Sequence, residues 1–552
     1  MNDQRVVLDG SSLTRCDVLR VARREAVPVI APEALERVRK AARFIEEEAA
    51  GAKPIYGVTT GFGRNADRII DAHSAEKLQR NLILSHMAGV GEPLPREVVR
   101  ALLVIRLNTL LKGHSGIREA TVALLLALLE RGVHPVIPCR GSVGASGDLA
   151  PLSHMAAVLL GEGEAEVGGE RLPGREALAA AGLEPVTLSY KEGLALINGT
   201  SLMAALAILA CGRIEDCLRL ADLSGALSLE ALAGRRDAFD PDVHALRPHP
   251  GQMRVAANVL SLTEGSTLLD IPYEDVPRAD GSFGVDPRTG SRVGGKPPKP
   301  QDAYSFRCMP QVHGAVRDAF DAACAVVDRE LNAVTDNPIL FPAAGDDAGK
   351  VISAGNFHGM PLALAMAGLK AALPALGSIS ERRVAALVDE SCSDGLPRFL
   401  VPGGDGADSG VMLLQYTAAS LVNALATRAH PAAVHSIPTC ANTEDHVSMG
   451  VTEGLDLLDM TDHLLEVLAI EFIVAAQAVD LRRRLLSTVS GDPEVSRGPG
   501  RVTGLVLERI RSEVPFIARD EDLDLPEVLS RMRKLVRGDA LLRVAADEGV
   551  AL

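Results

Sequence analysis

Apolar positions along this chain recur mostly at helical spacing. Val99, Leu103, Leu107 and Leu110 follow one another at steps of four, four and three, while Arg96, Arg100 and Arg106 fall elsewhere, the pattern of an amphipathic helix. In the second half Leu362, Met366, Leu369, Leu373 and Leu376 form one such stripe, and Leu465, Leu468, Phe472, Ala476 and Val479 form another. Both segments are rich in alanine, whose small side chain lets neighbouring backbones approach, so long helices buried on more than one side are expected. Strand signals are short and peripheral, at Val6 to Leu8 and at Glu164 to Val167, the latter followed by the hairpin-like Gly168-Gly169. The fold class predicted is mainly α, with a core of long bundled helices.

One break in composition stands out. Pro277 to Pro300 holds five Pro and five Gly, which predicts an exposed, mobile excursion on an intact scaffold. The expected division is an N-terminal domain over 1–200, a central long-helix domain over 201–480 and a C-terminal helical region over 481–552.

Composition narrows the function. With 57 Lys+Arg against 72 Asp+Glu the net charge is −15, which repels a phosphate backbone or an anionic membrane surface. Trp is absent and aromatic residues make up 3%, so stacking platforms for single-stranded bases are scarce. Neither a nucleic-acid partner nor a membrane partner is expected. The first fifteen residues hold no apolar run, and later apolar stretches are read as interrupted by Asn198, Glu466 or Glu471, so no signal peptide and no membrane helix is expected. The eight cysteines form no Cys-x-x-Cys pair, and neither they nor His249, His313 and His446 suggest a metal site. Reduced thiols in a cytoplasm follow, with the three histidines in structural or supporting roles.

The segment with the most unusual chemistry is Gly141-Ser-Val-Gly-Ala-Ser-Gly-Asp-Leu-Ala-Pro-Leu-Ser-His154, a loop of small residues entering the apolar helix Met155 to Leu160. One account is a helix cap, with Asp148 or Ser146 accepting the first free amide hydrogens. A serine-hydrolase elbow fits less well, because the motif is G-x-S-G and no strand precedes it.

The flanking residues resemble the signature of the aromatic amino acid ammonia-lyase and aminomutase family. In that family Ala-Ser-Gly cyclises on its own into 4-methylidene-imidazol-5-one (MIO), and no external cofactor is needed. The resemblance implies that the nitrogen of Gly147 attacks the carbonyl carbon of Ala145 with loss of one water. Loss of the Ser146 hydroxyl as a second water leaves an electrophilic methylidene. Glycine at 147 suits the compressed turn this requires. The fumarase and aspartase superfamily shares a long-helix bundle, but its Gly-Ser-Ser-x-Met-Pro-x-Lys-x-Asn loop is missing here.

Further segments between Tyr56 and about Asp480 extend the resemblance. Tyr56-Gly-Val-Thr-Thr-Gly-Phe-Gly63 is similar to the family's tyrosine loop, which implies Tyr56 as the base for the β-proton; a packing tyrosine is the other account. Leu194-Ala-Leu-Ile-Asn-Gly-Thr-Ser201 implies Asn198 beside the prosthetic group and the substrate amine. Gln301-Asp-Ala-Tyr-Ser-Phe-Arg307 implies Gln301 and Tyr304 as hydrogen-bonding groups and Arg307 as a bidentate clamp for the substrate carboxylate. Gly355-Asn-Phe-His-Gly359 implies Phe357 near the catalytic loop, although Met360 replaces the family's more usual Glu or Gln.

Substrate choice rests on Glu444 in Ala441-Asn-Thr-Glu-Asp-His446, a glutamate where phenylalanine and tyrosine members have an amide. A carboxylate can accept from an imidazole N–H, whereas a phenyl ring would leave the charge unpaired. Ser85-His86 resembles the selectivity pair of histidine-specific members and of some aminomutases. Taken singly, His86 also fits a satisfied core histidine and Glu444-Asp445 a solvated turn. The resemblance implies elimination of ammonia from L-histidine to give trans-urocanate, with Tyr56 shifted below its reference pKa of about 10 by a positive potential. It also implies a homotetramer in which Tyr56 and residues 145–147 of each site come from different subunits. A tyrosine or phenylalanine lyase, an aminomutase of the same family and a non-catalytic helical assembly protein remain alternatives.

Overall fold

A computed structural model of the chain describes residues 4–51, 54–70, 75–272, 275–277, 282–285, 287–288, 290, 292–293, 300–345, 347–402, 406–490 and 497–552. Most of the Pro277 to Pro300 excursion therefore lies outside the described residues. The mainly α expectation holds. The longest helices are Ser201–Leu232, Met309–Leu331, Met360–Val388 and Gly450–Ser490. Leu362, Met366, Leu369, Leu373 and Leu376, like Leu465, Leu468, Phe472, Ala476 and Val479, are all buried, as their spacing predicts.

Two compact units make up the chain. The first comprises Met1–Gly212, Ala322–Gly368 and Pro431–Leu458. Its strand Arg5–Leu8 pairs in parallel with Val27–Ile30, and Glu164–Val167 forms an antiparallel hairpin with Glu170–Pro173 across Gly168 and Gly169. Helix Leu149–Leu159 packs against Ala75–His86 and Glu192–Ile197, which brings the loop before it close to the ends of both.

The expected amphipathic helix is Arg96–Leu110, but two of its arginines are inside. Arg100 and Arg106 are buried. Arg100 donates to the carbonyls of Val21 and Leu129, and Arg106 to that of Ala195. Spacing separates apolar from polar positions, yet a guanidinium with carbonyl partners tolerates the interior, so this helix is enclosed on all sides.

The second unit comprises Arg213–Asp321, Leu369–His430 and Asp459–Leu552. In it Arg482, fully buried, donates to the carbonyls of Ala231, Asp394 and Ser393 at 2.7–3.0 Å. One guanidinium thereby satisfies a carbonyl in the last turn of helix Ser201–Leu232 and two adjacent carbonyls of the turn that follows Met360–Val388.

One premise of the membrane reading, that every later apolar stretch is interrupted, needs correcting. Met360–Val388 is long and apolar enough to cross a membrane by length and composition, because the single Lys370 does not break its run. Of its most apolar window, 56% is buried inside the protein, as in a core helix, and Lys370 itself is fully buried.

Replacing Arg482 by Met keeps the volume but strands three buried acceptors. We expect a loss of at least ~3 kcal/mol in unfolding free energy, read from urea titration of the purified protein.

Candidate active site

The loop over residues 142–148 is pinned from several directions within the first unit. Gly147 takes a left-handed φ of +75° and forms a parallel bridge with Gly199. A Cβ at Gly147 would stand 2.1 Å from the Gly199 carbonyl oxygen, so only glycine fits. Asp148 N donates to Gly199 O at 2.7 Å, and Gly199 N donates to Ser146 O at 3.3 Å. At the other end, Met449 N donates to Val143 O at 2.9 Å, and the Ser448 hydroxyl donates to Gly144 O at 3.0 Å. Gly144 also has a positive φ, and its Cβ would meet the Ser448 hydroxyl at 2.0 Å.

The helix-cap account of this loop fails in an informative way. Asp148 occupies the N-cap position of Leu149–Leu159 but makes no side-chain bond to that helix. Its Oδ2 accepts instead from Leu202 N at 2.8 Å and Met203 N at 3.1 Å, at the start of Ser201–Leu232. Its Oδ1 accepts from the Ser142 hydroxyl at 3.2 Å. Burial pushes the Asp148 carboxyl up to about 7, against the pull of those two amides and that hydroxyl.

Ser146 likewise does not cap. Its hydroxyl donates to Glu444 Oε1 at 2.9 Å, and Glu444 Oε2 accepts from the Thr439 hydroxyl at 2.8 Å. Thr439 and Glu444 also bridge through their backbones around Cys440, Ala441 and Asn442, three consecutive residues with φ of 50°, 51° and 64°. Such a run costs roughly 1–2 kcal/mol per non-glycine residue and aims the half-buried Glu444 at the loop.

Tyr56 reaches the same place. The Gly63 amide donates to its phenol oxygen at 3.0 Å, and Phe62 packs edge-on at 6.4 Å. Gly63 abuts Cys440 so closely that a Cβ there would lie 2.6 Å from its Sγ. Burial raises the Tyr56 pKa; the Gly63 amide opposes this, while Cys440 and Glu444 add to it. The expected downward shift is thus not supplied by the groups that face Tyr56 within this unit. Nor are Tyr56 and residues 145–147 divided between chains here, since both approach Glu444 of one chain.

His86 ends helix Ala75–His86, with Nδ1 3.0 Å from the Ser85 hydroxyl. Burial lowers its pKa, outweighing the Leu82 carbonyl and the charge of Glu444, so the ring is neutral at pH 7. Asn198 is buried, with Nδ2 donating to Asn337 O at 3.0 Å and Oδ1 without a partner among the described residues. Phe357 is half-buried, and its neighbour His358 donates from Nε2 to the carbonyl of His446, on whose ring it stacks. Gln301, Tyr304 and Arg307 belong to the second unit. There the Arg307 guanidinium lies 4.6 Å over the exposed Tyr304 ring and donates to Asp302 O at 3.0 Å.

Sequence reasoning missed three supports. Gln79 is buried and donates to Gly57 O at 3.1 Å while accepting from Leu194 N at 3.3 Å, tying the tyrosine loop to the helix before Asn198. His154 accepts from Gly89 N at 3.1 Å, just beyond His86. Ser448 latches Gly144. Each lies inside or beside a quoted motif, but single polar side chains aimed at distant backbone leave no periodic signal.

These residues fit an Ala-Ser-Gly-derived group. Before cyclisation, a turn that only glycine can occupy at 147 and a carboxylate accepting from the Ser146 hydroxyl suit ring closure and loss of that hydroxyl, and the unpartnered buried Asn198 Oδ1 offers the finished group's surroundings an acceptor. Among the described residues no cluster of His, Cys, Asp or Glu could hold a metal ion, and none of the eight cysteines forms a disulfide.

Comparison with known proteins agrees with this chemistry. The profile of the family described as aromatic amino acid lyase matches residues 13–511. A histidine ammonia-lyase of Gloeobacter violaceus is 50% identical over 530 residues, covering 96% of this chain and 95% of that one. The crystal structure of histidine ammonia-lyase from Trypanosoma cruzi superposes with a TM-score of 0.84 at 36% identity, covering 98% of this chain and 95% of that one. The tyrosine aminomutase from Streptomyces globisporus superposes with a TM-score of 0.88, also at 36% identity, with 99% of each chain covered.

A Gly147→Ala chain is expected to retain its full encoded mass. The unsubstituted chain and Gly368→Ala, where a Cβ meets nothing within 4 Å, should weigh two waters less by intact mass spectrometry.

Proposed function

The chain belongs to the aromatic amino acid lyase family, and from that premise we propose that it eliminates ammonia from L-histidine to give trans-urocanate. The observation that carries this reading is Glu444, a carboxylate that accepts from Ser146 before cyclisation and lies within the electrostatic reach of both Tyr56 and His86. An imidazole placed there offers an N–H to the carboxylate, and a phenyl ring offers none.

Ala145, Ser146 and Gly147 form the MIO group, which supplies an electrophilic carbon for the substrate amine; no external cofactor is required. Asp148, Ser448 and Gly199 hold the loop that bears it. Asn198 directs its free Oδ1 to the amine, and Phe357 lines the same region. Glu444 and neutral His86 orient the imidazole, with Glu444 holding its proton as electron density shifts toward the ring. Tyr56 takes the β-proton through its phenolate, which the Gly63 amide stabilises. Because burial raises that phenol, the ionised fraction is small at neutral pH and grows as pH rises.

Gln301 and Tyr304 hydrogen-bond around the reacting amino acid, and Arg307 binds its carboxylate as a two-pronged donor. We assign them to sites completed by neighbouring copies in a homotetramer, in keeping with the 71% exposure of Tyr304. Cysteines held outside any disulfide suit a cytoplasmic setting. Aminomutase chemistry shares the electrophile and the Ser85-His86 pair, and the likeness to a tyrosine aminomutase makes product analysis on tyrosine a necessary companion.

Purified protein given L-histidine should accumulate urocanate, followed by its ultraviolet absorbance; turnover of tyrosine with none of histidine would reverse the substrate assignment. Glu444→Gln should lower kcat/KM for histidine by about 10²-fold or more. For the unsubstituted enzyme kcat/KM should climb with pH on its acid limb. Tyr56→Phe should remove that limb and cost about 10²–10⁴-fold in kcat while keeping the two-water mass deficit.

A further inference from the structure

In the second unit, a line of buried charges runs from Glu471 to Asp222. Glu471 accepts from Arg383 Nε at 2.5 Å and Nη2 at 3.0 Å. It also accepts from the hydroxyls of Ser224, Ser228 and Ser380 at 2.6–2.9 Å. His313 Nε2 faces Arg383 Nη1 at 3.4 Å, and its Nδ1 lies 2.9 Å from Asp222 Oδ1. Asp222 Oδ2 accepts from Arg317 at 2.6 Å and Asn258 at 2.8 Å. Glu471, Arg383, His313 and Asp222 are all fully buried.

Burial alone would raise both acids, but Arg383 with the serines holds Glu471 low, and Arg317 with His313 and Asn258 holds Asp222 low. Burial keeps His313 neutral, so Nδ1–H donates to Asp222 while Nε2 accepts from Arg383. A buried ion pair contributes little net stability compared with well-packed apolar side chains, so its use here calls for another purpose.

That purpose is at the remaining donor. Arg383 Nη1 also donates to the carbonyl oxygen of Ser305 at 3.2 Å. Ser305 lies in the single-turn helix Tyr304–Arg307, which is too short to be stable by itself and carries Tyr304 and Arg307. Arg307 is joined through Asp302 O, and the Asp302 carboxylate accepts from Arg235 N at 2.7 Å. The carboxylate-binding turn is thus fastened at Asp302 on one side and at Ser305 on the other.

We propose that Arg383, held by Glu471, is a positioning residue that sets the Tyr304–Arg307 turn for recognition of the substrate carboxylate. The inference rests on the reading of Arg307 as that carboxylate's clamp. The double variant Arg383→Met/Glu471→Leu removes both buried charges together and leaves the Ser305 carbonyl without its donor. Arg383→Lys keeps a cation for Glu471 but cannot serve both partners in fork geometry.

In each folded variant KM for histidine should rise about tenfold or more, and by more than kcat falls. Inhibition by imidazole, which has no carboxylate, should stay within about twofold of the unsubstituted enzyme. The mass deficit of two waters should remain. An unchanged KM in either folded variant overturns the proposal, as does a parallel loss of imidazole binding. Failure of both variants to fold assigns the network to stability and overturns it too. Absence of histidine turnover in the unsubstituted enzyme would sink the underlying reading instead, which keeps the two failures apart.

Discussion

The site depends on one buried carboxylate. Asp148 follows the Ala145-Ser146-Gly147 tripeptide directly and is bonded to the amides of Leu202 and Met203 at the start of a 32-residue helix. Four amide hydrogens at such an end lack intrahelical partners, and a side-chain acceptor from a distant loop satisfies two of them here. The loop therefore inherits the rigidity of a long helix. Because the carboxylate is enclosed, removing it would expose those amides to no alternative acceptor. The contact of Gly147 with Gly199, too close for any Cβ, is the local expression of this docking.

Against that fixed loop stands a strained one. Cys440, Ala441 and Asn442 all adopt left-handed backbone, a conformation side chains disfavour, and the bridge between Thr439 and Glu444 holds them there. Strain of this kind persists only where the surroundings over-determine it, and here it delivers a carboxylate to the serine hydroxyl. The same segment abuts Gly63 of the tyrosine loop. Tyr56, Glu444 and Ser146 are consequently brought together by backbone geometry, while the ionisation of Tyr56 is opposed by its burial.

The second unit illustrates how polar groups inside helices can serve geometry. Arg482 and Arg383 both donate to carbonyls outside the long helices, the first to Ser393 and Asp394 in a turn, the second to Ser305 in a single-turn helix. A planar guanidinium can hold two or three acceptors in fixed directions, which a flexible ammonium cannot. Buried arginines of this type look, in sequence, like the polar positions of an amphipathic helix. That is why Arg100 and Arg106 were expected off the buried stripe and are found within the core.

What could be read directly from residue order was chemical identity and helical period. Apolar spacing locates the long helices, because burial of one stripe is enforced wherever it falls, and the Ala-Ser-Gly loop with its flanking motifs names the candidate residues. Tertiary structure alone decided which of them meet. Ser146 and Glu444 stand 298 positions apart and share a hydrogen bond; Asp148 caps a helix other than the one it precedes; Arg383 reaches a turn 78 positions away. Hydrogen bonds between remote side chains and backbone are set by how elements pack, and no local propensity encodes them.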